Sequence, residues 1–168
     1  MTKEKINKKI QENLFSTQPG VVISAINSIK EKGNKLYIPL LFDLLNSNPE
    51  KEIADEINRL LSTIKDQETV DSFIEAITDK KYNSIRKIIL TICWQNGLDF
   101  SNYLPVFVEI IINDTWENAF EAFTIIENLN TLPEQNIINT TMQKIDAAME
   151  SATEQKSYFL QEVLAKIS

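Results

Sequence analysis

Residues Gly33 to Asp66 read GNKLYIPLLFDLLNSNPEKEIADEINRLLSTIKD. In the first half, Leu36, Ile38, Leu40, Leu41, Leu44 and Leu45 recur at helical spacing and make a broad apolar stripe. Pro39 falls near the start of that helix, where a missing N–H costs little because first-turn donors lack intrahelical partners. Asn46-Ser47-Asn48-Pro49 breaks the pattern, with Asn48 expected as a cap and Pro49 at the first position of a second helix. Glu50 and Glu52 place negative charge at that helix's positive end. In the second half Ile53, Ala54, Ile57, Leu60, Leu61 and Ile64 share one face, and Asp55, Glu56, Asn58, Arg59, Ser62 and Thr63 the other. Two helices of about 14 residues, roughly 21 Å long at about 1.5 Å per residue, cover each other only in part. The pair keeps a bare apolar flank and needs neighbours.

The rest of the chain varies this unit. Ile6, Ile38, Val70, Leu104 and Ile138 register the first helices, at spacings of 32, 32, 34 and 34. Val21, Ile53, Ile85 and Ala119 register the second helices, at 32, 32 and 34. A period this steady is a solenoid signature. Helices are expected from residue 3 to 16, from Val21 to a stop at Lys30-Glu31-Lys32-Gly33, through the template pair, and again from Asp66. Asp79-Lys-Lys-Tyr-Asn-Ser is a turn before a sixth helix that ends at Asn96-Gly97. Asp99 or Ser101 caps the seventh, Asp114-Thr-Trp-Glu117 reads as a capping-box variant for the eighth, Leu132-Pro133-Glu134 opens the ninth, and Ser151-Ala-Thr-Glu154 is a second box for the tenth. The β-prone triplets Ile110-Ile111-Ile112 and Val21-Val22-Ile23 lie inside longer 3.6-period patterns. The expectation is an all-α chain of about ten helices, paired into about five antiparallel hairpins along 1–168 as one domain.

Ile38-Pro39-Leu40-Leu41 through Leu44-Leu45, and Leu104-Pro105-Val106-Phe107, resemble the first-helix pattern of HEAT repeats. Asp79 followed by Ile85-Arg86 is similar to that family's turn Asp and second-helix Val-Arg, with one extra residue between them. Ala54 and Ala119-Phe120 depart from it. The resemblance spans nearly the whole chain and bears on fold more than on function. It implies a right-handed α-α superhelix whose second helices line a concave surface that grips partners.

Composition narrows the function classes. The 168 residues include no His, which removes the commonest general base and metal ligand. The three glycines are scattered, so no phosphate-cradling loop exists. The lone Cys93 follows Ile92 on an apolar face and reads as core. Carboxylate pairs such as Asp55/Glu56 and Glu117/Glu121 have the spacing of ordinary exposed helix charges. The chain is therefore expected to be non-catalytic, with no cofactor and no metal. No apolar run reaches the roughly 20 residues that span a bilayer, and the charged MTKEKINKK start lacks a signal-peptide core. A single cysteine suits a reducing compartment, so a cytoplasmic location is expected.

The net charge of −7 is uneven. Residues 1–35 carry seven Lys against Glu4, Glu12 and Glu31. From Ile88 to Gln143 there is no basic residue, but there are seven acids: Asp99, Glu109, Asp114, Glu117, Glu121, Glu127 and Glu134. These acids either keep the surface soluble or form a face for a basic partner. The basic clusters, Lys3/Lys5/Lys8/Lys9 and Lys80/Lys81/Arg86/Lys87, are small for a groove that must offset phosphates. Nucleic-acid binding through the N-terminal lysines is thus the runner-up to protein binding, and neutralising a basic toxin or enzyme is a third option.

Trp94 stands in register with Ser62 and Asn128, and Trp116 near the start of the eighth helix; each either packs between repeats or anchors a partner. Asp55, Arg59, Lys87, Trp94, Glu117 and Glu121 are the candidate contacts, all on second helices. Tyr158-Phe159-Leu160 hints at a sticky end, a dimer contact or a truncated array, and leaves the oligomeric state open.

Overall fold

A computed structural model describes residues 4–32 and 35–168, so the stop at Gly33 and the basic Lys3 lie outside the described residues. Ten α-helices and no strand occur among the described residues. The chain divides into two compact units, Met1–Asn96 and Gly97–Ser168.

The first unit holds α1 (Lys8–Leu14), α2 (Pro19–Lys32), α3 (Ile38–Asn46), α4 (Lys51–Ser62), α5 (Val70–Thr78) and α6 (Arg86–Asn96). Consecutive helices pair as α1/α2, α3/α4 and α5/α6. Second helices pack in a row, α2 on α4 and α4 on α6, while α3 packs on α5. Ile26, Ile57, Leu61 and Ile89 are fully buried along the second-helix row, and Leu41, Phe42, Phe73 and Ile77 along the other. Phe42 meets Phe73 edge-on at 5.8 Å, which joins successive hairpins through one aromatic contact.

The second unit holds α7 (Leu104–Asn113), α8 (Trp116–Glu127), α9 (Gln135–Met149) and α10 (Glu154–Ile167). Here α7 pairs with α8 and α9 with α10, α7 packs on α9, and α8 on α10. Phe100, Phe107, Val108, Ile111, Ala122, Ile145 and Leu160 form its core. The same hairpin-on-hairpin arrangement therefore recurs inside each unit, as bare apolar flanks require.

Short 3-10 turns lead into three of the first helices, at Lys35–Tyr37, Gln67–Thr69 and Ser101–Tyr103. Neither Asp99 nor Ser101 caps the seventh helix, whose N-cap is Tyr103 without a side-chain bond; the Asp99 carboxylate instead accepts the Ser101 N–H at 2.9 Å, in the 3-10 turn that leads in. Asp66 accepts the Glu68 N–H at 3.0 Å in the equivalent place. Pro39 and Pro105 sit in the first turns of α3 and α7, where proline is tolerated.

Other caps fall elsewhere than the sequence suggests. Asn48 takes a left-handed backbone, φ 57°, and closes α3, while the N-cap of α4 is Glu50 and Pro49 precedes it. The cap of α8 is Thr115, which accepts the Asn118 N–H; Asp114 lies one residue outside and accepts from the Asn118 side chain. Thr153, not Ser151, caps α10 by accepting the Lys156 N–H. In α8 and α10 a β-region threonine next to the first helical residue wins, since that backbone points the hydroxyl at the orphan donors.

Candidate partner-docking face

In the first unit, the candidate contacts occupy the solvent side of α4 and α6. Asp55 is exposed and pairs with Lys51, one turn earlier, at 2.6 Å. Arg59 is exposed and pairs with Glu56. Such surface pairs are worth about 0–1 kcal/mol, so both side chains can be redirected to a partner cheaply. Lys87 is exposed on α6 next to Ile88, which is also exposed. Trp94 is half-buried near the end of α6. Beside it, the Ser62 hydroxyl donates to the Gln95 side chain at 2.9 Å and ties α4 to α6.

Two residues of the second basic cluster of this unit are engaged. Lys81 pairs with Asp43 at 3.2 Å and lies over the Tyr82 ring at 4.7 Å. Arg86 donates to the Ile77 carbonyl and the Asn83 side chain. Lys5, Lys8 and Lys9 are exposed around the start of α1. A cleft of about 230 Å³, floored by Ile38, Leu41, Leu60 and Ile64, has Lys35 and Lys65 on its rim. Those two are held by Glu68 at 3.5 Å and by the Asn96 carbonyl at 2.5 Å.

Titratable chemistry is buried or structural. Burial pushes the Cys93 thiol well above its usual range. Burial and a 2.5 Å hydrogen bond donated to Asp43 push the Tyr82 phenol up to about 12. Burial opposes ionisation of Asp99, yet hydrogen bonds from Ser101 and Thr131 outweigh it and hold that carboxyl below the usual range. Among the described residues, no three Cys, Asp or Glu side chains gather as a metal would need. Among them, too, no helix is long and apolar enough to cross a membrane.

The second unit carries the largest concentration of exposed rings. Trp116 and Phe120, one turn apart on α8, stack at 5.6 Å and 17° and are 45% and 43% exposed. Phe120 also tilts against Phe159 of α10 at 6.2 Å, and Phe123 stacks on the other part of that contact at 4.8 Å. Tyr158, 58% exposed, flanks Phe159 at 6.1 Å. Glu117 and Glu121 follow Trp116 and Phe120 in sequence; Glu117 is exposed and Glu121 half-buried. On α8 the small Ala119 and Ala122 take the buried positions, and Phe120 turns outward. Leu36, expected in the apolar stripe of the third helix, lies in the 3-10 turn before it and is exposed. Of the suspected sticky end, Phe159 and Leu160 are core and Tyr158 alone is outside.

The charge division coincides with the units. Gly97–Ser168 carries three lysines and eleven acids, a balance of −8, against +1 for Met1–Asn96. No protein-family model matches the chain, and no curated protein matches it.

Proposed function

We propose that the chain is a non-catalytic, cytoplasmic protein-binding module built of HEAT-like helical hairpins, and that it receives its partner on its second helices. The observation that carries this reading is the exposed stack of Trp116 and Phe120 beside Tyr158. Leaving apolar surface in water forgoes about 25 cal/mol per Å², and clustered exposed apolar surface marks interaction sites. Rigid aromatic rings lose little conformational entropy on docking and dominate interface energetics. Glu117 and Glu121 supply a polar rim on α8. Asp55, Arg59, Lys87 and Trp94 offer the corresponding helices of the first unit as further contacts.

The test is a quantitative pull-down from native lysate, comparing the full chain with Trp116→Ser/Phe120→Ser and with Glu117→Lys/Glu121→Lys. Proteins retained by the wild type and lost from the variants are expected. An unchanged set of co-purifying proteins overturns the reading.

A further inference from the structure

We propose that the partner enters this face through an arginine-bearing segment whose guanidinium groups lie over the exposed rings of Trp116 and Phe120. This rests on the docking reading above and adds the chemistry of the occupant. Three observations converge on a cation.

The first is charge. The second unit has a balance of −8 after its three lysines are counted, and the ammonium of each is already bound to a carboxylate or to backbone carbonyls. Lys144 pairs with Glu109 at 3.1 Å. Lys156 donates to the carbonyls of Ile112 and Asp114 at 3.1 and 2.6 Å. Lys166 donates to the Glu127 carbonyl at 3.0 Å. The rings therefore sit in a negative field that draws cations and repels phosphate-bearing surfaces.

The second is the geometry of the rings. Near-parallel stacking at 5.6 Å places Trp116 at the outer end of an aromatic column that runs through Phe120 to Phe159. Trp is the strongest cation–π acceptor among the side chains, and the planar guanidinium stacks on such a face while donating to nearby carboxylates. Glu117 stands on the same turn of α8 to accept those donors.

The third is what the face disfavours. Pairing it with the same face of a second copy brings together two units of −8 and cancels none of that charge. A wholly apolar partner would leave the exposed Glu117 at the edge of a drying interface without a counter-charge. A basic segment with apolar spacers satisfies both the rings and the acids.

The experiment uses the full chain with both tryptophans in place, and the Trp116 share of its emission is the difference from a Trp116→Phe chain. The probe is a synthetic helical peptide of about 14 residues with arginines on one face and leucines on the other. Its control has every arginine replaced by neutral citrulline. A saturable change in Trp116 emission with the arginine peptide is expected, weakened about tenfold or more by citrulline, which is about 1.4 kcal/mol. Glu117→Lys/Glu121→Lys and Phe120→Ala should each weaken it too. So should raising ionic strength from about 0.01 M to about 0.15 M, which shortens screening from about 30 to about 8 Å. Equal binding of the citrulline peptide overturns the inference while leaving the docking face standing. No response to the arginine peptide overturns it as well, and the pull-down then decides separately whether the face docks anything. Low-salt self-association abolished by Lys5→Glu/Lys8→Glu/Lys9→Glu would also overturn it, by making a second copy the occupant.

Discussion

Replacing Lys156 by methionine isolates one device of the second unit, the use of a lysine from the next hairpin to satisfy carbonyls at a helix C-terminus. Lys156 lies in the first turn of α10, and its ammonium reaches the Ile112 carbonyl at 3.1 Å and the Asp114 carbonyl at 2.6 Å. These belong to the end of α7, where C=O groups lack intrahelical partners and the helix dipole is negative. Methionine keeps the length of the stem and removes the donors. A hydrogen bond to a charged group contributes about 1.5–3 kcal/mol, but the half-buried site lets water replace part of it. Immobilising the lysine side chain also costs up to about 2 kcal/mol, which methionine avoids only in part. The expected net loss is about 1–2 kcal/mol. For a chain of this size that lowers the melting temperature by about 2–8 °C, read by calorimetry on the full chain. Lys156→Arg should retain a share of the stability. General charge repulsion in the acidic unit predicts instead that the loss disappears near 1 M salt, where the screening length is about 3 Å. A Lys156→Met chain that melts with the wild type, or that recovers fully in salt, refutes the carbonyl-capping argument.

Phe107→Ala should cost about 3–5 kcal/mol, because Phe107 is fully buried edge-on to Phe100 at 5.8 Å, whereas Phe120→Ala should cost under about 1 kcal/mol; chemical denaturation of both compares them. Tyr82 should be the late tyrosine in an alkaline titration followed by phenolate absorbance. Its folded pKa of about 12 exceeds the ordinary tyrosine value of 10.0, so its contribution to stability is complete below pH 10 and fades as pH rises toward 12. Cys93, 1% exposed with its thiol held protonated, should resist a disulfide reagent in the native chain and react at once when it is unfolded.

Most of the fold is legible in the sequence, and the reason is periodic burial. Ile57 and Leu61 are fully buried, as their spacing on the template's second helix requires. Their equivalents recur because every hairpin has the same flank to cover. Caps were legible only to within a residue or two. Ser151 and Thr153, or Asp114 and Thr115, carry competing side-chain oxygens, and the choice depends on which backbone reaches the β region. The candidate face was legible in its acids and, as open alternatives, in Trp116 and Tyr158, but not in Phe120. A helix whose apolar residues exceed one face, as α8 does with Trp116, Ala119, Phe120, Ala122, Phe123, Ile125 and Ile126, does not say which of them the core has room for. The small alanines let α7 and α8 approach closely, and that displaces Phe120 to the outside. The signal that could have found it is the i, i+4 pair Trp116/Phe120 interleaved with Glu117 and Glu121.

The measurement that bears most directly on the docking face is site-specific photo-crosslinking in living cells, with benzoyl-phenylalanine placed at Phe120 and, as a control, at Leu132, an equally exposed residue in a turn of the same unit. A discrete higher-mass adduct from position 120, absent from position 132 and lost on Glu117→Lys/Glu121→Lys, is the predicted result. Indistinguishable adducts from the two positions, or none from position 120, would contradict the account.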